Sequence, residues 1–190
     1  MKTRIAKDSD ELKALEIYQR LLRHSKILTE KVLSQRLADV LYFWDKYIPE
    51  GFPGGQKLQG EGDLGSRLES AFQEVFSKRA KRNNCLKAIV IGTDCPFLTS
   101  DLIREAFNSL DDNDWCLGPA NDGGYTLLGI KSPNTNLFRD IHWSTDQVLK
   151  ETIQRGLESG LKLPYLLPKL SDIDTWEDVL NHFREAIEHE

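Results

Sequence analysis

Helical periodicities alternate with short apolar runs along this chain, and the alternation predicts an α/β fold built on a mainly parallel sheet. Two further observations point the same way. Ala88-Ile89-Val90-Ile91 is a short, continuous apolar run rich in β-branched residues, which suits a strand covered on both faces. Gly92 and then a carboxylate, Asp94, follow it at the carboxyl end of the predicted strand, where open α/β sheets place ligands.

The 190 residues are read as one domain, 1–190. Hydrophobic residues make up 39% and charged residues 29%, a balance that supports an ordinary globular core. The net charge of -5 lacks the basic excess a nucleic-acid partner requires. No stretch reaches the roughly 18 consecutive apolar residues of a membrane span, and no secretory signal opens the chain. Cys85, Cys95 and Cys116 are odd in number and lack CxxC spacing. They argue for a reducing, cytoplasmic setting, against a disulfide framework or zinc site, and read as small buried hydrophobes.

In chain order, residues 1–7 carry three basic side chains. Asp8, Ser9 or Asp10 can cap a helix running to about Leu33, with Leu12, Leu15, Tyr18, Leu21 and Leu22 as its apolar face. Residues 39–47 read as a strand. Residues 49–62 contain five glycines and two prolines and read as a loop or a broken short strand. Leu64, Leu68, Ala71, Phe72, Val75 and Phe76 predict a helix from near Gly65 to near Arg82. After the central strand, Pro96 stops extension and Thr99 or Ser100 caps the next helix. A second strand then runs into Asp122-Gly123-Gly124, with a further strand over Tyr125–Ile130. Ser144 and Gln147 have the spacing of a capping box for a helix ending at Gly160. Leu163–Leu167 is an edge-strand candidate because of Pro164 and Pro168. Asp174 and Glu177 open a last helix with Trp176, Val179, Leu180, Phe183 and Ile187 as its stripe.

Several residues carry chemistry, each with a structural alternative. Asp94 can hold a divalent cation that bridges nucleotide phosphates, or it can cap a turn. Asp122 can bind sugar hydroxyls or act as a base. Spacing alone instead favours a tight Asp-Gly turn. Lys2, Thr3 and Arg4 can bind a pyrophosphate near the start of a helix, or form a solvated basic end. Gly62, Asp63, Gly65 and Arg67 make a glycine-rich approach to a helix that matches neither GxGxxG nor the P-loop. Asp172 and Asp174, two apart, can face one cation if extended, although Asp174 also suits a helix cap. His142 can serve as a base, but a lone histidine is more often structural.

KTRIA, QGEGDLGSRL, VIGTDCPFL, LGPANDGGYTLLG, WSTDQVL and SDIDTWEDV occur in this order. Together they resemble the DUF2064 family, also called rSAM/selenodomain-associated transferase 1, over Lys2 to about Asp178. The resemblance implies a three-layer Rossmann-like sheet of the GT-A type and a nucleotide-diphospho-sugar glycosyltransferase. Its donor would be a nucleotide-sugar bound with Mg²⁺ or Mn²⁺, and the acceptor is unknown. It also implies roles. Asp94 would be the metal ligand, with Asp172 or Asp174 completing the site. Lys2 and Arg4 would face the diphosphate. Gly62, Asp63, Gly65, Arg67 and Thr93 would lie near the nucleotide. Asp122 would be catalytic, with Gly123 and Gly124 lining the sugar or acceptor side.

Members of that family usually begin with an apolar strand and a proline–glycine turn before the KTR motif. Here Met1 directly precedes Lys2, so the sequence predicts a fold short of its first strand, a depleted pocket and impaired activity. A partner copy, as in a homodimer, could supply the strand. Two rival functions stand beside glycosyl transfer. One is nucleotidyl transfer to a phosphorylated small molecule, and the other is a non-catalytic nucleotide-binding or regulatory remnant of the fold.

Overall fold

The computed structural model describes residues 2–79 and 87–182. Twelve elements bear on the site: α1 (Thr3–Asp8), α2 (Glu11–Ser34), β1 (Leu41–Trp44), β2 (Gly55–Leu58), α3 (Leu64–Arg79), β3 (Ala88–Ile91), α4 (Ser100–Asp112), β4 (Trp115–Pro119), β5 (Tyr125–Ile130), α5 (Val148–Glu158), β6 (Tyr165–Leu166) and α6 (Trp176–His182).

Four strands form the main sheet in the order β3-β5-β4-β6, and β1 and β2 form a separate parallel pair. The expectation of a mainly parallel sheet needs correcting in its pairings. β3, β4 and β6 point the same way, but β5 lies between β3 and β4 and runs antiparallel to both. The reason is local: Asp122-Gly123 closes a β4–β5 hairpin, so β5 must return against β4.

Helices cover both faces of the sheet, giving three layers. On one face Leu28 and Val32 of α2 and Ile103, Ala106 and Leu110 of α4 pack on Cys116 and Leu127. On the other, Phe72 and Phe76 of α3 and the turn residues Leu137 and Phe138 pack on Trp115, Leu117, Leu128 and Ile130. β3 contributes to both cores, as its sequence predicts: Ile89 and Ile91 to the first, Ala88 and Val90 to the second. Its cover is thinner than predicted, since only Ala88 is fully buried. A third cluster joins α1, α2 and α6 through Ile5, Ala14, Ile17, Leu21, Ile173 and Val179.

Local signals fare unevenly. Asp10 caps α2, accepting from the Lys13 N–H at 2.8 Å, and Thr99 caps α4, accepting from Leu102. The buried face of α2 is rotated from the predicted leucine stripe. Leu21 is buried as predicted, but Leu12 is 80% and Leu15 43% exposed, because packing against α1 and α6 selects Ala14 and Ile17 beside Leu21. The predicted capping box at Ser144 does not form. Ser144 has a positive φ, Thr145 Oγ1 accepts the Gln147 N–H, and Gln147 stands at the helix start without capping it. α6 is capped by Thr175 rather than Asp174: Thr175 Oγ1 accepts from the Asp178 N–H, and Asp178 Oδ2 accepts from the Thr175 N–H. Leu180, placed in the buried stripe by periodicity, is 45% exposed. Cys85, Phe183 and Ile187 lie outside the described residues.

Candidate active-site cleft

Three tethers converge at the carboxyl end of β3. The first is the Ile173 N–H, which donates to the Asp94 carbonyl at 2.9 Å. Ile173 itself is fully buried in the third cluster. This fixes Asp172 and Asp174 beside Asp94. The second is the β4–β5 hairpin. Asn121 N–H donates to the Leu170 carbonyl at 2.9 Å, and Asn121 Nδ2 donates to Ser171 Oγ at 2.6 Å, which brings Asp122 alongside. The third is the loop before α5, held by the Leu149 N–H on the Gly123 carbonyl at 2.9 Å. Gly123 has φ +90°, and a Cβ there would lie 2.2 Å from the Asp146 carbonyl oxygen. Only glycine permits this approach.

The result is a cleft of about 330 Å³ lined by Lys2, Thr3, Arg4, Asp94, Asp122, Ser144, Thr145, Asp146 and Asp174. A depression of about 360 Å³ on the outer side of α4, beside Arg104 and Tyr165, holds none of the motif residues. Lys2 organises the cleft floor. Its Nζ lies 2.8 Å from Asp94 Oδ2 and 2.8 Å from Asp174 Oδ1, and its side chain is only 10% exposed. Asp174 therefore serves a tertiary ion pair, which frees Thr175 to cap α6.

Asp172 is not among the cleft-lining residues, but it feels the same field. Burial, then repulsion from Asp122, Asp174 and Asp94, pushes its carboxyl up to about 7, and Lys2 offsets part of this. Asp122 has two parts to play: its Oδ1 accepts the Gly124 N–H at 2.9 Å, shaping the turn, while the side chain also borders the cleft. The turn reading of this segment is thus borne out, and it carries the residue to the site.

Other predicted residues are placed elsewhere. Asp63 caps the start of α3, accepting from Ser66 N–H and Oγ at 2.8 and 2.7 Å. Arg67 reaches back to the Gly62 carbonyl, Gln59 and Asp45. Gly65 packs tightly against the Phe138 carbonyl and the Trp143 ring. None of these four lines the cleft, nor does Thr93. His142 is exposed and paired with Glu151 at 2.8 Å. Cys95 and Cys116 are buried, and burial pushes both thiols up to about 11, so they behave as hydrophobes. Sequence reasoning missed Ser144, Thr145 and Asp146 as cleft residues. The signal is the WSTDQVL stretch, whose serine reads in sequence as half of a capping box with Gln147.

The donor set can be tested for a divalent cation. Among the described residues no group of three His, Cys, Asp or Glu side chains is arranged to hold a metal. Two carboxylates, Asp94 and Asp174, do converge on one cation, the Lys2 ammonium. Mg²⁺ needs no more from a protein when substrate phosphates and water complete its shell. The pair therefore fits a substrate-bridged ion and not an all-protein cage.

This arrangement, a three-layer α/β fold with a carboxylate just past the carboxyl end of β3, is of the GT-A type. The chain belongs to the DUF2064 family, described as uncharacterized proteins conserved in bacteria, whose model matches residues 32–145. It is also similar to a crystal structure from Desulfovibrio desulfuricans G20 named as a "putative nucleotide-diphospho-sugar transferase". The two share 27% identity with a TM-score of 0.81, over 97% of this chain and 81% of that one. No curated protein matches the chain.

Proposed function

We propose that this protein is a glycosyltransferase that takes a sugar from a nucleotide-diphospho-sugar donor, with Mg²⁺ or Mn²⁺, and passes it to a small acceptor. The observation that carries the reading is the meeting of Lys2, Arg4, Asp94, Asp122 and Asp174 in one cleft. These residue types answer the two needs of the chemistry. Lys2 and Arg4 attract the diphosphate, Arg4 through a guanidinium suited to paired phosphate oxygens. Asp94 and Asp174 would hold the cation, with Asp172 as a third carboxylate next to them. Such an ion stabilises the negative charge that grows on the leaving diphosphate. Asp122, with one oxygen tied to the turn, can orient or deprotonate an acceptor hydroxyl with the other. The name of the D. desulfuricans protein supports the donor class.

A thermal-shift panel of nucleotide-sugars, with and without Mn²⁺, tests the reading. At a hundredfold excess over Kd a true donor adds about 2.7 kcal/mol of stability. The expected result is stabilisation by one donor that needs Mn²⁺. No response to any donor would overturn it. Pyrophosphate release from a nucleoside triphosphate would move the assignment to nucleotidyl transfer.

A further inference from the structure

We propose that Lys2 acts as an internal stand-in for the divalent cation, so that metal entry requires its ammonium to leave Asp94 and Asp174. The inference rests on the reading of Asp94 and Asp174 as the cation-holding pair. Its own basis is the position of one atom. Lys2 Nζ is 2.8 Å from an oxygen of each carboxylate, at the point where the two side chains converge. An ion that bridges the pair and this ammonium cannot occupy that point together. The contact is well sheltered: the Lys2 side chain is 10% exposed, against 44% and 38% for its partners.

The ammonium is also free to move without unfolding anything. It sits on a flexible four-carbon stem. Its backbone lies at the start of α1, where Lys2 makes no side-chain cap, and α1 is anchored independently through buried Ile5. Arg4, two residues on, borders the same cleft and makes no ion pair among the described residues. It offers a control, because removing Arg4 takes away the same charge without vacating the carboxylates.

The test is Mn²⁺ binding to the full chain without nucleotide, read from the electron paramagnetic resonance signal of free Mn²⁺. Wild type is compared with Lys2→Met, Lys2→Arg, Arg4→Met and Asp94→Asn, and Lys2→Gln replaces Lys2→Met should that variant fail to fold. Lys2→Met should bind roughly tenfold tighter or more, since a close charge competitor is gone. Lys2→Arg, whose guanidinium can still bridge the pair, should stay near wild type. Arg4→Met should change affinity by less than about threefold, as expected for a screened charge farther off. If Lys2→Met is no tighter than wild type while Asp94→Asn loses binding, the stand-in role is wrong and the cation pair stands. If Arg4→Met matches Lys2→Met, the effect is diffuse charge and the proposal fails. No Mn²⁺ bound by Lys2→Met would overturn this proposal alone, because the function rests on an ion whose shell the donor's phosphates complete.

Discussion

Single residues decide where the cleft is and what surrounds it. Gly123 is the sharpest case. Its φ of +90° and the 2.2 Å approach of the Asp146 carbonyl leave no room for a side chain. Gly123→Ala should cost about 2 kcal/mol or more, from strain and displacement of the Ser144–Asp146 loop, measured by denaturant unfolding. Asp178 is a pH-sensitive position. Burial raises its carboxyl, but hydrogen bonds from the Thr175 hydroxyl and from the Thr175 and Asp174 amides outweigh this and hold it below the ordinary 3.8. A lowered folded pKa means stability that is complete above the unfolded value and lost as pH falls through the folded one. Asp178→Asn should cost about 1 kcal/mol at neutral pH, the usual cost of a weakened cap. It should also show a flatter loss of stability below pH 4 in melts across pH, and an unchanged acid slope would remove Asp178 from the account.

At the scale of elements, sequence and structure agree where one signal dominates. The Ala88–Ile91 run, Gly92 and Pro96 leave little alternative to a strand that ends shortly before Asp94, and one of the two predicted caps, Thr99, starts α4. Agreement fails where two local choices are nearly equal and a distant contact settles them. Asp174 and Thr175 both suit the start of α6, and the choice is made by Lys2, 172 positions away. The leucines of α2 form a plausible stripe, but the helix phase follows its packing on α1 and α6. α1 itself was not legible: six residues, no acid in its first turn and one buried side chain give no periodicity to read. The order β3-β5-β4-β6 is likewise a matter of pairing, which strand periodicity does not encode. The β4–β5 hairpin carries the heaviest burial, with Leu117, Leu127, Leu128 and Ile130 all at 1% exposure or less. Leu128→Ala should cost about 2–5 kcal/mol in equilibrium unfolding, the range for a cavity in a well-packed core.

For the whole molecule, three apolar clusters explain why a charged cleft can exist at all. Two clamp the sheet from its faces, and the third pins α1 and the 172–174 segment together through Ile5 and Ile173. Lys2, Asp94, Asp122 and Asp174 are thereby gathered from four separate stretches of chain. Part of this gathering was legible. Asp94 stood out because a strand end is a ligand position in such sheets, and the order of motifs suggested its partners. The glycine-rich 62–67 segment looks equally chemical, but its hydrogen bonds run to its own loop, to the start of α3 and, through Arg67, to Gln59 and Asp45, away from the cleft. Ser144, Thr145 and Asp146 gave no comparable signal, because their place in the cleft depends on docking against Gly123. The most direct test of the central claim is calorimetric titration of a nucleoside diphosphate panel with Mn²⁺ into wild type and Asp94→Ala. The account predicts metal-dependent binding of at least one nucleotide to wild type and its loss in Asp94→Ala. Equal affinity in the two proteins would contradict it.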